Sequence, residues 1–333
     1  MRFSISSLVA GAITLVSLPF TPVASAAAAP GLSKRDFLDP TNYKNLTTSR
    51  GITYNYYFSP PANNDKRYLL FVHGWPGFSY DYRFQVDFFR EAGYGLIVPD
   101  LLGFGKTDKP IDPEEYKSSL ISRDIVDILT RNPSTTTLSR LGTTVLARGA
   151  KVVARLGNYF PERFFAFGFL AVGNLGPSFF ETPYSVAVNL TKAVLGYENF
   201  GYWDFFARPG AHEIIEDQLE SLFSLVHTAN AVELINILVP AGRVGGLGDG
   251  RPEVGIQCLD PGDIPPENIV VKKPVFFGAA LQDFVAIAPV QIKATLDTSA
   301  NSTIHLYNAG HWVHWEAKDE VNRDLLSWVE GLE

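Results

Sequence analysis

Asp283 and His311 are the two side chains of this sequence best placed to share a proton. Each falls in the turn that ends an apolar run, Val275-Phe276-Phe277-Gly278 for the aspartate and Thr303-Ile304-His305-Leu306-Tyr307 for the histidine. A carboxylate beside an imidazole fixes its orientation and tautomer and lets it act as general base. Acids and histidines in surface loops are common singly, and it is the joint placement in two late strand-exit turns that favours chemistry. A third element is Leu69-Leu70-Phe71-Val72-His73-Gly74-Trp75-Pro76-Gly77, an apolar strand running into a tight turn. His73, Gly74, Trp75 and Pro76 stand at its carboxyl end, where open α/β sheets place ligands. A turn amide aimed into such a pocket holds a developing oxyanion.

The segments that must position these residues alternate. Ile52 to Phe58 is β-rich and ends at the turn Ser59-Pro60-Pro61, so two antiparallel strands are expected to lead the sheet. Asp81 to Ala92 has helical spacing, and Tyr94 to Pro99 is a buried strand ending at Asp100. Helices over Ser122 to Arg131 and Ala150 to Phe160 flank a strand at Thr143-Thr144-Val145-Leu146; Phe164 to Val172 is another buried strand, and a closing helix covers Asp319 to Val329. This is the βαβ rhythm of a doubly wound, mostly parallel α/β sheet. Residues 176–266 leave that rhythm, with an aromatic cluster, an amphipathic helix near Glu213 to Val226 and a glycine-rich return from Gly242 to Gly255. They read as a mainly helical lid inserted after the sixth strand, the core being 36–175 and 267–333.

Composition narrows the function classes. The 333 residues are 46% hydrophobic and carry a net charge of −7, which argues against nucleic acid or an anionic membrane as partner. Residues 1–26 have Arg2, an apolar run broken by Pro19 and the small-residue site Ala24-Ser25-Ala26, the pattern of a secretory signal peptide rather than a spanning helix. Lys34-Arg35 then closes a possible pro-segment over 27–35. The sequons at Asn45, Asn189 and Asn301 fit a secreted glycoprotein. Cys258 stands alone, so no internal disulfide forms. Gly105-Lys106-Thr107 is a loop, because a phosphate loop needs glycine where Asp100 stands. His311 and His314 have a metal-like spacing without the glutamate of a metalloprotease helix; no metal or other cofactor is expected, and His314 is expected at the surface beside a helix.

The aspartate-then-histidine order is that of the α/β-hydrolase triad. Joined to His73-Gly74-Trp75-Pro76 are Pro99-Asp100-Leu101-Leu102-Gly103-Phe104-Gly105-Lys106-Thr107, Asn158-Tyr159-Phe160-Pro161-Glu162-Arg163, Lys273-Pro274-Val275-Phe276-Phe277-Gly278 and Ala309-Gly310-His311-Trp312-Val313. On these motifs the chain resembles the epoxide hydrolase branch of the α/β-hydrolase superfamily. The resemblance implies a small apolar epoxide as substrate and a vicinal diol as product, through an aspartyl ester. It implies His311 as base, Asp283 as its partner, the Trp75 amide as oxyanion donor and Tyr202 as one of two ring-opening lid acids. Two positions depart from the pattern. The family's His-Asp-Trp-Gly before Ala150-Lys151-Val152-Val153 is replaced, which puts Ala147 at the nucleophile position, and no tyrosine lies between Tyr202 and Tyr307. These departures leave two further readings, a non-catalytic hydrolase-fold binding protein and a haloalkane dehalogenase-like hydrolase. They also raise a reading at the level of the gene: Ser139-Arg140-Leu141-Gly142 can be encoded TCA CGA CTG GGG, which one base later reads His-Asp-Trp-Gly.

Overall fold

The computed structural model describes residues 39–63, 65–131, 143–147 (backbone only), 149–177, 183–206, 208–227 and 264–332. The expected signal peptide, the pro-segment, Cys258, positions 139–142 and the glycine-rich return lie outside them.

Eight strands form one sheet: β1 (Tyr43–Thr47), β2 (Thr53–Ser59), β3 (Tyr68–Val72), β4 (Gly95–Pro99), β5 (Thr143–Ala147), β6 (Phe164–Leu170), β7 (Val271–Ala280) and β8 (Ser299–Tyr307). Their spatial order is β1-β2-β4-β3-β5-β6-β7-β8. The pairs β1–β2 and β2–β4 are antiparallel and all others are parallel. Two antiparallel neighbours do lead the sheet, but the partners differ from those read in the sequence. β2 pairs with β1 and β4, and β3 sits between β4 and β5 because it reaches β4 by a parallel crossover through the helix α1 (Arg83–Glu91).

The central strands are uninterrupted apolar runs because both their faces are covered. In β3, Leu70 and Val72 enter the core on one face while Leu69 and Phe71 enter the core on the other. The first core is closed by α2 (Ser118–Arg131), through Ile121, Ile125, Ile128 and Leu129, and by α3 (Ala150–Tyr159), through Val152, Val153 and Leu156. The second is closed by Val86 and Phe89 of α1 and by Val321, Leu325 and Val329 of the terminal helix.

Between β6 and β7 the chain forms α4 (Tyr184–Leu195), α5 (Gly201–Phe206), α6 (Ala211–Asp217) and α7 (Leu219–Val226). The single helix expected over Glu213 to Val226 is two, since Gln218 leaves the helical region at φ −125 and ψ 30 while the apolar spacing runs on across it. After β7 come α8 (Ala288–Thr298), then β8, α9 (Val313–Glu316) and the terminal helix α10 (Lys318–Gly331). Among the described residues no helix is long and apolar enough to cross a membrane.

Candidate active site

The turns that follow β7 and β8 are sewn together by main-chain bonds. Leu281 N donates to Tyr307 O at 2.9 Å and Gln282 N to Ala309 O at 2.9 Å. Parallel neighbours in a sheet end side by side, so the two exit turns arrive at one place with Asp283 on one and His311 on the other. His311 Nδ1 lies 2.7 Å from Asp283 Oδ2, and the Asp283 side chain is fully buried. An ionised carboxylate only accepts, so Nδ1 carries the proton and Nε2 keeps its lone pair, the state a general base needs. The other oxygen, Oδ1, accepts from Val285 N at 2.8 Å and Ala286 N at 2.9 Å. Burial pushes the Asp283 carboxyl up, but the charge and hydrogen bond of His311 and the two amides outweigh it and hold it below the usual carboxylate range.

The imidazole is set from its own side by Glu316 of α9. Its two oxygens accept from Gly310 N at 2.7 Å and Trp312 N at 3.1 Å, the amides on either side of His311. No residue-type signal pointed to Glu316 in the sequence; its spacing to Trp312, one helical turn, is the trace it leaves. Trp312 Nε1 donates to Val226 O at 3.0 Å, and the His227 ring stacks on the Trp312 ring at 4.3 Å, so the end of α7 rests on the histidine turn.

Trp75 is 40% exposed at the turn after β3, stacked on Tyr202 of α5 at 5.9 Å and met edge-on by Phe206 at 4.7 Å. Tyr202 also packs on the Val226–Trp312 cluster, which brings it to the histidine turn. Desolvation pushes its hydroxyl up to about 12, opposed by a hydrogen bond that its oxygen accepts from the Trp203 N–H and reinforced by the Asp283 charge. The phenol therefore holds its proton at neutral pH and is available as a donor. His73 is buried, and its nitrogens are used on the backbone. Nε2 accepts from Leu101 N at 2.8 Å and Nδ1 faces Gly74 O at 3.1 Å, so the ring stitches the β3 exit turn to the β4 exit loop. Gly74, Trp75 and Pro76 form the turn itself, closed by Gly77 N donating to Gly74 O at 2.8 Å. In the β4 exit loop Asp100 accepts from Ser79 N and Lys106 N, consistent with a structural loop.

Ala147 is the last residue of β5, level with Val72 of β3 and Phe169 of β6. Two residues on, Gly149 N donates to Val72 O at 3.0 Å and begins α3. A Cβ on Gly149 would lie 2.3 Å from His73 O, so the strand-to-helix turn runs hard against the end of β3 and tolerates no side chain there. This puts position 147 at the carboxyl edge of the sheet, beside the His73–Pro76 turn.

His314 differs from expectation. It is buried among Tyr82, Trp312 and Trp315, because the short helix α9 turns it inward while His311 faces Asp283. Among the described residues no group of three histidine, cysteine or acidic side chains could hold a metal ion. Asn45 on β1, Asn189 on α4 and Asn301 on β8 are all exposed.

A family model described as the alpha/beta hydrolase fold matches residues 68–138. An epoxide hydrolase of Neurospora crassa is 35% identical over 123 residues, 34% of this chain and 34% of that protein. Epoxide hydrolase 2 of Siraitia grosvenorii is 44% identical over 61 residues, covering 18% and 19% of the two chains. The bifunctional epoxide hydrolase 2 of Sus scrofa is 23% identical over 301 residues, 79% of this chain and 51% of that one. The chain thus spans between about a fifth and about half of the length of these relatives. Among solved structures, an epoxide hydrolase from an endophytic Streptomyces superposes with a TM-score of 0.65 at 20% identity, over 87% of this chain and 95% of that one. Epoxide Hydrolase A from Mycobacterium thermoresistibile does so at 0.63 and 19%, over 87% and 98%. The fold is the α/β-hydrolase fold.

Proposed function

We propose that this α/β-hydrolase, whose matched relatives are epoxide hydrolases, opens a small apolar epoxide with water to a vicinal diol, without a cofactor. The observation that carries the reading is the His311–Asp283 pair at 2.7 Å, its carboxylate buried and held by two further donors. The aspartyl ester implied by the resemblance needs a carboxylate at position 147, and alanine has no lone pair to attack with. Water takes that place. His311 Nε2 accepts a proton from water as the water oxygen bonds to an epoxide carbon, the carbon–oxygen bond breaks, and Tyr202 protonates the leaving oxygen. Proton return from His311 through solvent to the tyrosinate completes the cycle. Rates are those of a site lacking its covalent step. Turnover of styrene oxide in ¹⁸O-water tests this: solvent-labelled diol above the buffer rate, lost in His311→Gln, is expected. No diol above the buffer rate refutes it.

The alanine supports a second reading, a non-catalytic protein that binds apolar molecules beneath Trp75 and Tyr202; it predicts saturable binding of the same epoxide with no diol. A third observation concerns the gene. The family match stops at residue 138, directly ahead of Ser139. If a displaced frame is the cause, the coding DNA at 139–142 reads TCA CGA CTG GGG or TCA CGA TTG GGG, and any other codons exclude it. The exposed sequons and the amino-terminal pattern support secretion as a glycoprotein, which a mobility shift on endoglycosidase treatment of the native protein tests.

A further inference from the structure

The carboxylate of Asp283 is not held by its own turn alone. The peptide unit joining Phe284 to Val285 gives its N–H to Asp283 Oδ1 at 2.8 Å, and its carbonyl, Phe284 O, accepts from the hydroxyl of Tyr197 at 2.7 Å. The next peptide unit repeats the pattern. Its N–H, on Ala286, reaches Oδ1 at 2.9 Å, and its carbonyl, Val285 O, accepts from Asn199 Nδ2 at 2.6 Å. Tyr197 and Asn199 lie between α4 and α5, within the segment inserted after β6. Asn199 is in turn anchored by its own N–H on Thr191 Oγ1 of α4 at 3.2 Å.

We infer that Tyr197 and Asn199 are positioning residues, which set the orientation of Asp283 against His311 through these two peptide units. This rests on the reading of His311 as the base. Two parallel chains run from a lid side chain, through a carbonyl and the N–H of the same peptide unit, onto Oδ1. Hydrogen bonds in series polarise one another, so donation to the carbonyl strengthens donation by the amide. With Oδ1 pinned twice, the carboxyl plane cannot rotate, and Oδ2 stays on His311 Nδ1. Docking of the lid loop and alignment of the base are therefore one event: a lid displaced from the 284–285 carbonyls leaves the aspartate with weaker donors and a freer plane.

Two variants separate the chains. Tyr197→Phe removes the hydroxyl and keeps the ring; Asn199→Leu removes the amide donor at similar volume. Amide hydrogen exchange, read by NMR on the full chain, is expected to accelerate about tenfold at Val285 in the first variant and at Ala286 in the second, with the rest of β7 unchanged. The His311 Nδ1 proton, 2.7 Å from Asp283 Oδ2 in the parent, is expected to move upfield in the proton NMR spectrum of each, as the contact at Nδ1 loosens. Where turnover is measurable, kcat falls about tenfold with KM within about twofold. Unchanged exchange at both amides overturns the inference. So does faster exchange with an unmoved His311 Nδ1 proton resonance, which would mark the contacts as lid packing. The two NMR readouts need no substrate, so absence of diol in the parent protein counts against the epoxide reading and leaves this inference standing.

Discussion

Asp283→Asn is the substitution whose consequences the site defines most closely. Asparagine keeps the shape and an Oδ1 able to accept from Val285 N and Ala286 N, 2.8 and 2.9 Å away in the parent. It then presents Nδ2, a donor, where Oδ2 stood 2.7 Å from His311 Nδ1. Two donors cannot share that contact, so the imidazole moves its proton to Nε2 and loses the lone pair that would receive a proton from water. In a serine protease triad the same change costs roughly 10⁴ in kcat through the wrong tautomer; a loss of about that size is expected of any turnover here. Stability falls too. Hydrogen bonds to an ionised acceptor contribute about 1.5–3 kcal/mol against about 1 kcal/mol for neutral ones. Three charge-assisted bonds reduced to neutral ones give a cost of about 3 kcal/mol at pH 7. Because the Asp283 carboxyl is held below its ordinary value of 3.8, its contribution is full above that value and disappears as pH falls through the lowered one. The parent should therefore lose stability in acid that the variant does not have to lose. Nitrogen-15 NMR of His311 and urea unfolding against pH check all three statements. A variant with Nδ1 still protonated, or with turnover within a few-fold of the parent, refutes the reasoning.

Tyr202→Phe removes the proposed donor to the leaving oxygen while keeping the stack on Trp75, so kcat for epoxide opening should fall about 10²-fold with the fold intact by circular dichroism; an unchanged kcat removes Tyr202 from the mechanism. Gly149→Ala sets a methyl 2.3 Å from the main-chain oxygen of His73, which backbone movement alone relieves. A loss of about 3 kcal/mol in urea unfolding is expected, and a neutral result would show that the turn after β5 has room to spare. Asp124 is buried beside Tyr54 and Arg50. Burial pushes its carboxyl from 3.8 up to about 6, against the pull of Arg50 and the hydrogen bond from Tyr54. A raised carboxyl favours the folded state at low pH, so its contribution is full below pH 3.8 and is lost as pH rises through about 6, about 3 kcal/mol in all. Asp124→Asn should flatten that part of the stability profile, and a profile parallel to the parent's contradicts the assignment.

Much of the fold was legible because buried parallel strands are continuous apolar runs. Leu69 to Val72, Gly95 to Pro99 and Phe164 to Leu170 announce themselves by composition, and the helices after them by their spacing. β1 left no such mark. It is an edge strand with none of its five residues fully buried, so its pattern of exposure carries no clean alternation. α8 was also missed, because Gln291 and Thr295 are among its buried residues and blur the apolar stripe. The aspartate and histidine could be read from their places after late strands. Glu316, Tyr197 and Asn199 could not, since all three act on main-chain atoms and a side chain that bonds a backbone group has no partner residue type to betray it. His73 shows the opposite error. Its place at a strand end suggests chemistry, whereas both its nitrogens are spent joining two loops. His314, expected outside, is buried by a turn of helix only four residues long, too short to show a period.

The proposal at the centre is that His311 serves as the base of an epoxide-opening site and that Ala147 leaves it without a nucleophile. Ala147→Asp tests it directly, by styrene oxide turnover and by mass spectrometry of the acid-quenched protein. The account predicts a gain of at least about 10³ in diol formation, working from the scale on which nucleophiles contribute. It also predicts a covalent adduct equal in mass to the epoxide, which accumulates in the double variant Ala147→Asp/Asp283→Asn because hydrolysis of the ester needs the base. A folded variant with neither adduct nor gain would contradict it, and would mean that the end of β5 does not face the His311–Asp283 pair.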